Sequence, residues 1–191
     1  MAEDLPSEGT IGISLLEEAS LIKTACSDPT AFNRLYLSYI RPIYRYIFSK
    51  VGESRETEDL TAQVFLAALE GLPRYHHNGH FAAWLFSIAR HKVTDHFRSQ
   101  HSELPIEVAY GETISKGDPL STLIQTEESH RMSVLIHKLE EQDQELLRLR
   151  FVAELSFGEI ARLINSNMET TKKRVYRLLA HLQQQLELDH D

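Results

Sequence analysis

The stretch "LSFGEIARLINSNMETTKKRVYRLLAHL", residues 155–182, decides how the second half of this 191-residue chain folds. Ser156 and Glu159 have the spacing of a capping box, in which each side chain accepts a hydrogen bond from the other residue's backbone, so a short helix is predicted to start there. The "NSN" that follows predicts a tight turn, because Asn165 tolerates a left-handed backbone. Asn167 then caps a longer helix. Together these signals predict a helix-turn-helix motif.

The longer helix of this motif separates apolar from basic side chains. Val175, Leu178, Leu179 and Leu182 fall on one side of a helical wheel. Residues 162–181 contain five basic residues and one acidic residue. A basic helix face of this width fits the DNA major groove, where Lys and Arg contact phosphates and guanine edges. A solvated basic face on an interaction helix is the alternative. The candidate DNA-binding residues are Thr170, Lys172, Lys173, Arg174, Tyr176 and Arg177.

The net charge of −8 does not exclude a nucleic-acid partner, because the excess acids lie at the two ends of the chain. Residues 1–20 hold five acidic side chains without a Lys or Arg, and residues 187–191 hold three more. Between them, 20 basic side chains balance 20 acidic ones. Local clusters of charge must therefore decide the partner.

Targeting and redox signals favour a cytoplasmic protein. The N-terminus begins with acidic residues and has no basic head, so it does not read as a signal peptide. Apolar runs stay well short of the roughly 18–20 residues that a membrane helix needs, so we expect no membrane insertion. The single Cys26 cannot form an intramolecular disulfide, which suits a reducing compartment.

The rest of the chain reads as helices separated by short breaks. Residues 31–50 have helical periodicity with Pro42 inside it, which predicts a kink or a break there. A second helix is predicted over 54–70, and Asp118-Pro119 is a helix-start signal. We predict an all-α protein of two small helical domains on a flexible linker. The predicted units are an acidic tail (1–20), a first domain (21–99), a linker (100–117) and a second domain (118–187).

The segment "FAAWLFSIARHKVTDHFRSQ", residues 81–100, combines a core face with a polar strip. Phe81, Trp84, Leu85, Ile88 and Ala89 share one side of its predicted helix, and Ser87, Arg90, His91, Thr94 and Arg98 share the other. On pattern alone the signal for a binding site is weak, because amphipathic helices usually have a solvated charged face.

The predicted helix over 54–70 has more apolar surface than a small domain needs. Leu60, Val64, Ala67 and Ala68 make a core stripe, whereas Phe65, Leu66 and Leu69 point to other sides. This surplus predicts a docking surface for another protein, with a helix buried on all sides as the alternative.

Three stretches of the first domain, "DPTAFNRLYLSYIRPIYRYI", "EDLTAQVFLAALEGLPRY" and "FAAWLFSIARHKVTDHFR", resemble region two of bacterial RNA polymerase sigma factors. Residues 139–182 resemble their region four. With only these two regions and a short linker, the chain resembles the extracytoplasmic-function (ECF) group. It departs from the usual pattern at three places. Members often have Gln-Glu where this chain has Ala62-Gln63, and Gly followed by an apolar residue where it has Asn165-Ser166. They often have Val where it has Thr171.

The resemblance implies three sets of contacts. Asp59, Leu60, Gln63 and Phe65 would bind the clamp helices of the largest subunit of core RNA polymerase. Arg90, His91, Thr94 and Arg98, with the "YHHNGH" loop at 75–80, would engage the minus-ten promoter element as an opened strand. The candidate residues of the helix-turn-helix would read the minus-thirty-five element as duplex. An anti-sigma factor is a common partner in that family.

Two other functions are weighed against this interpretation. A helix-turn-helix regulator acting without polymerase would explain 139–186 and leave the surplus apolar surface unused. A metal enzyme would use His76, His77 and His80, but adjacent histidines in a loop rarely chelate one ion together. The sequence contains no nucleophile–base pair and no phosphate-binding loop, so we expect no catalytic residue, no metal and no cofactor.

Overall fold

The computed structural model describes residues 14–76, 79–103 and 127–188, and within these ranges the protein is helical without a strand. In chain order the α-helices are α1 (Leu15–Thr24), α2 (Pro29–Val51), α3 (Ser54–Gly71), α4 (Phe81–Glu103), α5 (Glu127–His137), α6 (Glu141–Leu147), α7 (Phe157–Leu163) and α8 (Met168–Leu188). A 3₁₀ turn, Leu72–Arg74, follows α3, and a π-helical segment, Arg148–Val152, continues α6. The predicted start at Asp118-Pro119 and most of the predicted linker lie outside the described residues.

The first domain is a bundle in which α2 packs against α1, α3 and α4. Its core is built from aromatic and β-branched side chains at helical spacing. Tyr39, Ile43, Tyr46 and Phe86 are each at most 2% exposed. Tyr46 and Phe86 meet edge to face with ring centroids 5.5 Å apart, a geometry that adds to the gain from burial.

Residues 14–20, which the sequence analysis places in the acidic tail, form the N-cap and the first turns of α1 in this bundle. Ser14 caps α1, and Leu21, Ile22 and Ala25 enter the core. Glu18 is only 5% exposed and accepts a hydrogen bond from Tyr39 Oη. The sequence did not reveal this contact, because an acidic residue in a charged stretch reads as solvated until a buried donor is placed beside it.

Of the two outcomes predicted at Pro42, a kink or a break, the break does not occur, because α2 continues through the proline. A proline inside a helix removes one backbone hydrogen bond and costs about 3 kcal/mol. Here Pro42 is buried, and so are Tyr39 before it and Ile43 after it. Tertiary packing on both sides of the proline therefore holds the helix together.

The second domain contains the predicted helix-turn-helix in α7 and α8. Ser156 and Glu159 form both hydrogen bonds of the capping box, and Asn165 has a φ of 54°. Asn167 Oδ1 accepts from the backbone N–H of Glu169 at 2.8 Å. These local predictions are confirmed, because each depends on residues within a few positions of one another.

The two domains lie in contact. Helix α4 packs against α7, and α2 packs against the π-helical segment. The buried side chains of both domains form one connected hydrophobic cluster. The sequence predicted only that a linker connects the two domains, and it did not indicate that the domains touch.

Two predicted docking residues are core residues instead. Phe65 is 7% exposed, with its ring centroid 4.7 Å from that of Tyr36, and Leu60 is 5% exposed. The wheel of α3 suggested that Phe65 pointed away from the core stripe, but α2 also packs on that side of α3. Leu66 and Leu69, at 58% and 44% exposed, are the surplus apolar side chains.

This correction predicts different stabilities for two neighbouring substitutions. Phe65→Ala should lower the free energy of unfolding by about 3–5 kcal/mol, because it leaves a cavity in the core. Leu66→Ala should change it by no more than about 0.5 kcal/mol, as is usual for an exposed position. Urea unfolding followed by circular dichroism measures both. Equal unfolding midpoints for the two variants would contradict the burial of Phe65.

Candidate nucleic-acid and polymerase interfaces

The outer face of α8 presents most of the predicted duplex-binding residues to solvent. Val175, Leu178 and Leu182 point into the domain core, at no more than 8% exposed. The opposite face is exposed along the first three turns of the helix. We call this set the α8 strip: Thr170, Lys172, Lys173, Tyr176 and Arg177. A rigid helix therefore holds three cations and two further hydrogen-bonding groups on one side.

Arg174 differs from the rest of the predicted duplex-binding set. It is half-buried, and its Nε lies 2.6 Å from Asp143 Oδ1 of α6. This ion pair fixes α8 against α6 and occupies part of the guanidinium group. Arg174 is thus less available to DNA than Lys173 or Arg177.

Thr171, at a position where the resembling family often has Val, is fully accommodated in the core. The residue is 1% exposed, and its Oγ1 donates to the backbone oxygen of Asn167 at 2.9 Å. A buried hydroxyl that found no acceptor would cost about 1–3 kcal/mol. Because the first turn of α8 supplies the acceptor, the hydroxyl does not loosen the helix-turn-helix.

The polar side of α4 carries the four residues predicted to engage the minus-ten element, which we call the α4 strip: Arg90, His91, Thr94 and Arg98. His91, Thr94 and Arg98 are exposed, whereas Arg90 is half-buried. His91 Nδ1 donates to Ser87 O at 2.7 Å, and Thr94 Oγ1 donates to Arg90 O at 2.8 Å. These bonds to the helix backbone hold the two side chains close to α4.

An aromatic cluster that the sequence analysis did not single out stands beside this strip. The rings of Tyr75, Phe81 and Trp84 have centroids 4.7–5.6 Å apart. A Cβ atom on Gly71 would lie 3.1 Å from the Trp84 ring, so any other residue at this position would need the ring to shift by a few tenths of an ångström. Tyr75 and Trp84 are half-buried and line a cleft of about 270 Å³ with His80 and Ser87. Trp84 was assigned to the core face, which hid its partial exposure.

The loop at 75–80 leads from the cluster into α4. Gly79 has a φ of 79°, a left-handed conformation that glycine adopts without strain. His76 is exposed and His80 is half-buried, while His77 lies outside the described residues. Among the described residues, no group of three His, Cys, Asp or Glu side chains could hold a metal ion.

The outer face of α3 offers acidic, amide and apolar groups together. Asp59 and Gln63, which the family resemblance assigns to polymerase binding, are exposed. Leu66 and Leu69 extend the same helix with exposed apolar surface. At the start of this helix, hydrogen bonds from the backbone N–H groups of Glu56 and Arg55 lower the pKa of the capping carboxylate Glu53.

The junction between the two domains is centred on one carboxylate, Glu145 of α6. Its side chain is 10% exposed. Tyr46 Oη donates to Glu145 Oε1 at 2.7 Å, and Lys50 Nζ donates to Oε2 at 3.2 Å. Arg90 Nε of the α4 strip lies 3.2 Å from Oε1. The first domain therefore places a hydroxyl and two cations around one acidic group of the second domain.

Further ion pairs border this carboxylate. Lys50 Nζ also donates to Glu141 Oε1 at 2.6 Å, and Arg45 lies 2.7 Å from Glu154 at another edge of the junction. Burial alone would raise the pKa of Glu141, but the hydrogen bond and charge of Lys50 outweigh it and lower that pKa. Burial and the neighbouring carboxylate of Glu145 raise the pKa of Tyr46, so its hydroxyl remains a donor.

An apolar cleft of about 380 Å³ opens between α5, the π-helical segment and α8, lined by side chains that include Met132, Ile136, Phe151 and Leu186. Phe151 is 45% exposed there. None of the described helices is both long enough and apolar enough to cross a membrane.

The chain matches two family models, in chain order. Residues 35–103 match Sigma-70 region 2, and residues 129–182 match Sigma-70, region 4. The first match contains α3 and α4, and the second contains α7 and the α8 strip. Each candidate surface therefore lies within a matched region.

Curated relatives extend over most of the chain. The ECF RNA polymerase sigma factor BldN of Streptomyces coelicolor is 34% identical over 168 residues, which are 84% of this chain and 63% of that protein. The ECF RNA polymerase sigma factor SigW of Bacillus subtilis is 27% identical over 169 residues, covering 83% of this chain and 90% of that protein. The chain thus spans less than two thirds of BldN and nearly all of SigW.

Solved structures share the fold at lower identity. CnrH in complex with the cytosolic domain of CnrY aligns with a TM-score of 0.63 at 20% identity, over 92% of this chain and 97% of that one. The sigma factor RpoE of Bartonella quintana, in complex with the anti-sigma factor NepR, aligns with a TM-score of 0.57 at 20% identity, over 83% and 98%. The two region models, in this order, and relatives along most of the sequence show that the chain belongs to the ECF group of bacterial RNA polymerase sigma factors.

Proposed function

We propose that the chain binds core RNA polymerase and directs it to promoters, with α8 reading the minus-thirty-five element and α4 the minus-ten element. The observation that carries this proposal is the position of the strips. One exposed polar strip stands on a helix of each matched sigma region, and each has its apolar side in a core. The family membership supplies the polymerase and the order of the two promoter elements.

On the duplex, α8 would lie in the major groove. Lys173 and Arg177 are one turn apart on the exposed face, so both can face the same groove. In this arrangement Arg174 keeps its ion pair with Asp143 and orients α8.

On the opened strand, α4 would supply cations while the aromatic cluster supplies a stacking surface. Base–aromatic stacking contributes about 1–3 kcal/mol per base and tolerates any base. Trp84 and Tyr75 are half-buried, so part of each ring faces the cleft next to the α4 strip. His91, Thr94 and Arg98 would then track the sugar-phosphate backbone and base edges of the non-template strand.

The polymerase would dock on the outer face of α3. Asp59 and Gln63 offer an acidic and an amide group, and Leu66 and Leu69 offer apolar area beside them. Leu60 and Phe65 support this face from within the core and do not reach a partner directly. The clamp of the largest subunit is the partner that the family resemblance implies.

The protein would act in the cytoplasm and contribute no chemistry, because the polymerase makes the RNA. An anti-sigma factor is a further proposed partner, because two proteins of similar fold were solved in complex with another protein. The partner of RpoE is the anti-sigma factor NepR, and the partner of CnrH is the cytosolic domain of CnrY. Such a partner would compete for the α3 face and for the apolar cleft lined by Phe151. If the chain were a helix-turn-helix regulator that acts without polymerase, its match to Sigma-70 region 2 would have no explanation.

Removing charge from the α8 strip should abolish promoter choice and spare polymerase binding. Lys173→Ala with Arg177→Ala removes two groove contacts, each good base contact being worth about 1–3 kcal/mol. Run-off transcription from a promoter used by the wild type should fall by at least about tenfold. Co-purification with core enzyme should be unchanged.

The matched control removes two exposed cations of the first domain that lie outside the α4 strip, Lys23→Ala with Arg41→Ala. Its run-off transcription should equal that of the wild type. Full run-off activity in the α8 variant would contradict the proposed role of α8.

Removing the exposed groups of α3 should weaken polymerase binding. Asp59→Ala with Leu66→Ala deletes one acidic and one apolar contact and should raise the dissociation constant for core enzyme at least about fivefold, equivalent to about 1 kcal/mol. Fluorescence anisotropy of labelled protein titrated with core polymerase measures it. Leu37→Ala with Glu187→Ala, another exposed apolar and acidic pair, serves as the control and should bind as the wild type does. Equal affinity of all three proteins would refute the α3 assignment.

A further inference from the structure

A chain of side-chain contacts crosses the surface of the helix-turn-helix and ends at Tyr176 of the α8 strip. Tyr176 is 38% exposed, and its ring centroid lies 6.0 Å from that of Phe157, the first residue of α7. The two ring planes are tilted by 40°. Lys172 Nζ, one turn earlier in α8, lies 6.0 Å from the Tyr176 centroid. A ring of α7 and a cation of α8 thus both contact one exposed aromatic side chain.

Phe157 is held in turn by the π-helical segment. Arg150 Cζ lies 4.8 Å from the centroid of the Phe157 ring, which is within the range of a cation–π contact. The guanidinium is itself fixed, because its Nη1 donates to the backbone oxygen of Leu155 at 2.9 Å. The capping box of Ser156 and Glu159 fixes the backbone turn that carries Phe157. The half-buried Phe157 ring therefore has a defined position before any DNA is bound.

The position of the Tyr176 ring matters for reading a duplex. An exposed aromatic side chain loses rotamer freedom when it enters an interface, and this loss weakens binding unless the side chain is already ordered. Tilted ring pairs at this separation attract each other, so Phe157 orders Tyr176 in advance. In the major groove, an aromatic ring can contact a thymine methyl group, and a hydroxyl can bond to base edges. Both contacts depend on where the ring stands.

We propose that Phe157 is a positioning residue for sequence reading, which holds the ring of Tyr176 against the base edges of the minus-thirty-five duplex. This inference rests on the proposed function, since it takes the α8 strip as the duplex-reading surface. A phenylalanine side chain has no donor or charge for a phosphate. Its contribution is therefore to the choice between sequences, which base contacts determine, and not to general attraction to DNA.

The test uses the full chain in complex with core polymerase and a labelled promoter duplex that the wild type transcribes. Discrimination is the dissociation constant for the duplex with a scrambled minus-thirty-five element divided by that for the native duplex. Phe157→Ala should lower this ratio at least about threefold, which lies within the free energy of one aromatic pair. Leu188→Ala, which removes an exposed apolar side chain at the last residue of α8, is the control and should leave the ratio unchanged.

Two further variants separate the ring from the bulk of the side chain. Phe157→Leu keeps an apolar side chain in place and removes the ring, so it should lower the ratio even where Phe157→Ala fails to fold. Phe157→Tyr keeps the ring and should restore the wild-type ratio. Wild-type discrimination in Phe157→Leu would overturn the proposal, and so would a loss in Phe157→Tyr as large as that in Phe157→Leu.

A double-mutant cycle shows whether Phe157 acts through Tyr176. Tyr176→Ala should lower the ratio, and adding Phe157→Leu to it should lower the ratio no further, because the ring to be positioned is gone. A residue that only stabilises the fold would lower binding to both duplexes alike, whichever residue stands at 176. Additive effects of the two substitutions on discrimination would therefore overturn the positioning role.

The salt dependence of binding distinguishes positioning from phosphate contact. The slope of log affinity against log salt concentration should be the same for Phe157→Leu as for the wild type, whereas Lys172→Ala should reduce it by about 1. A reduced slope in Phe157→Leu would contradict an action through base contacts alone. Failure of the proposed function shows separately, as a wild-type complex that binds the native and scrambled duplexes equally.

Discussion

One helix serves two purposes in the first domain, and this constraint shapes the rest of the molecule. Helix α4 contributes Phe81, Leu85, Phe86, Ala89 and Val93 to the core, each no more than 2% exposed. A single helix buries only part of its circumference, so its remaining side must face solvent or another unit. That side carries the α4 strip and meets the second domain at Arg90. This explains why basic side chains occur on a helix that also has a deep apolar face.

Electrostatics then connects the domains and the proposed partners. Acidic groups gather at both ends of the chain and around the junction, whereas cations concentrate on the α8 strip. Glu145 pairs with Lys50 and Arg90 across the junction, and Asp143 pairs with Arg174 within the second domain. Acidic side chains thus pair with some cations inside the protein, whereas the cations of the α8 strip stay exposed.

Local features were predictable from the sequence, because their causes lie within a few residues. The capping box of Ser156 and Glu159, the left-handed Asn165 and the exposed face of α8 all followed from spacing along one segment. Contacts between distant segments were not predictable in this way. Tyr46 and Glu145 are 99 positions apart, and the partner that buries Phe65 comes from α2. Glu18 was misread for the same reason, since its donor Tyr39 belongs to another helix.

In the proposed division of labour, the two helical units read different promoter elements. Mapping transcript starts on genomic DNA with purified protein and sigma-free core polymerase tests it directly. The account predicts starts that are confined to few positions and preceded by two shared sequence elements near minus ten and minus thirty-five. Starts that do not depend on the added protein, or that share no upstream sequence, would contradict it.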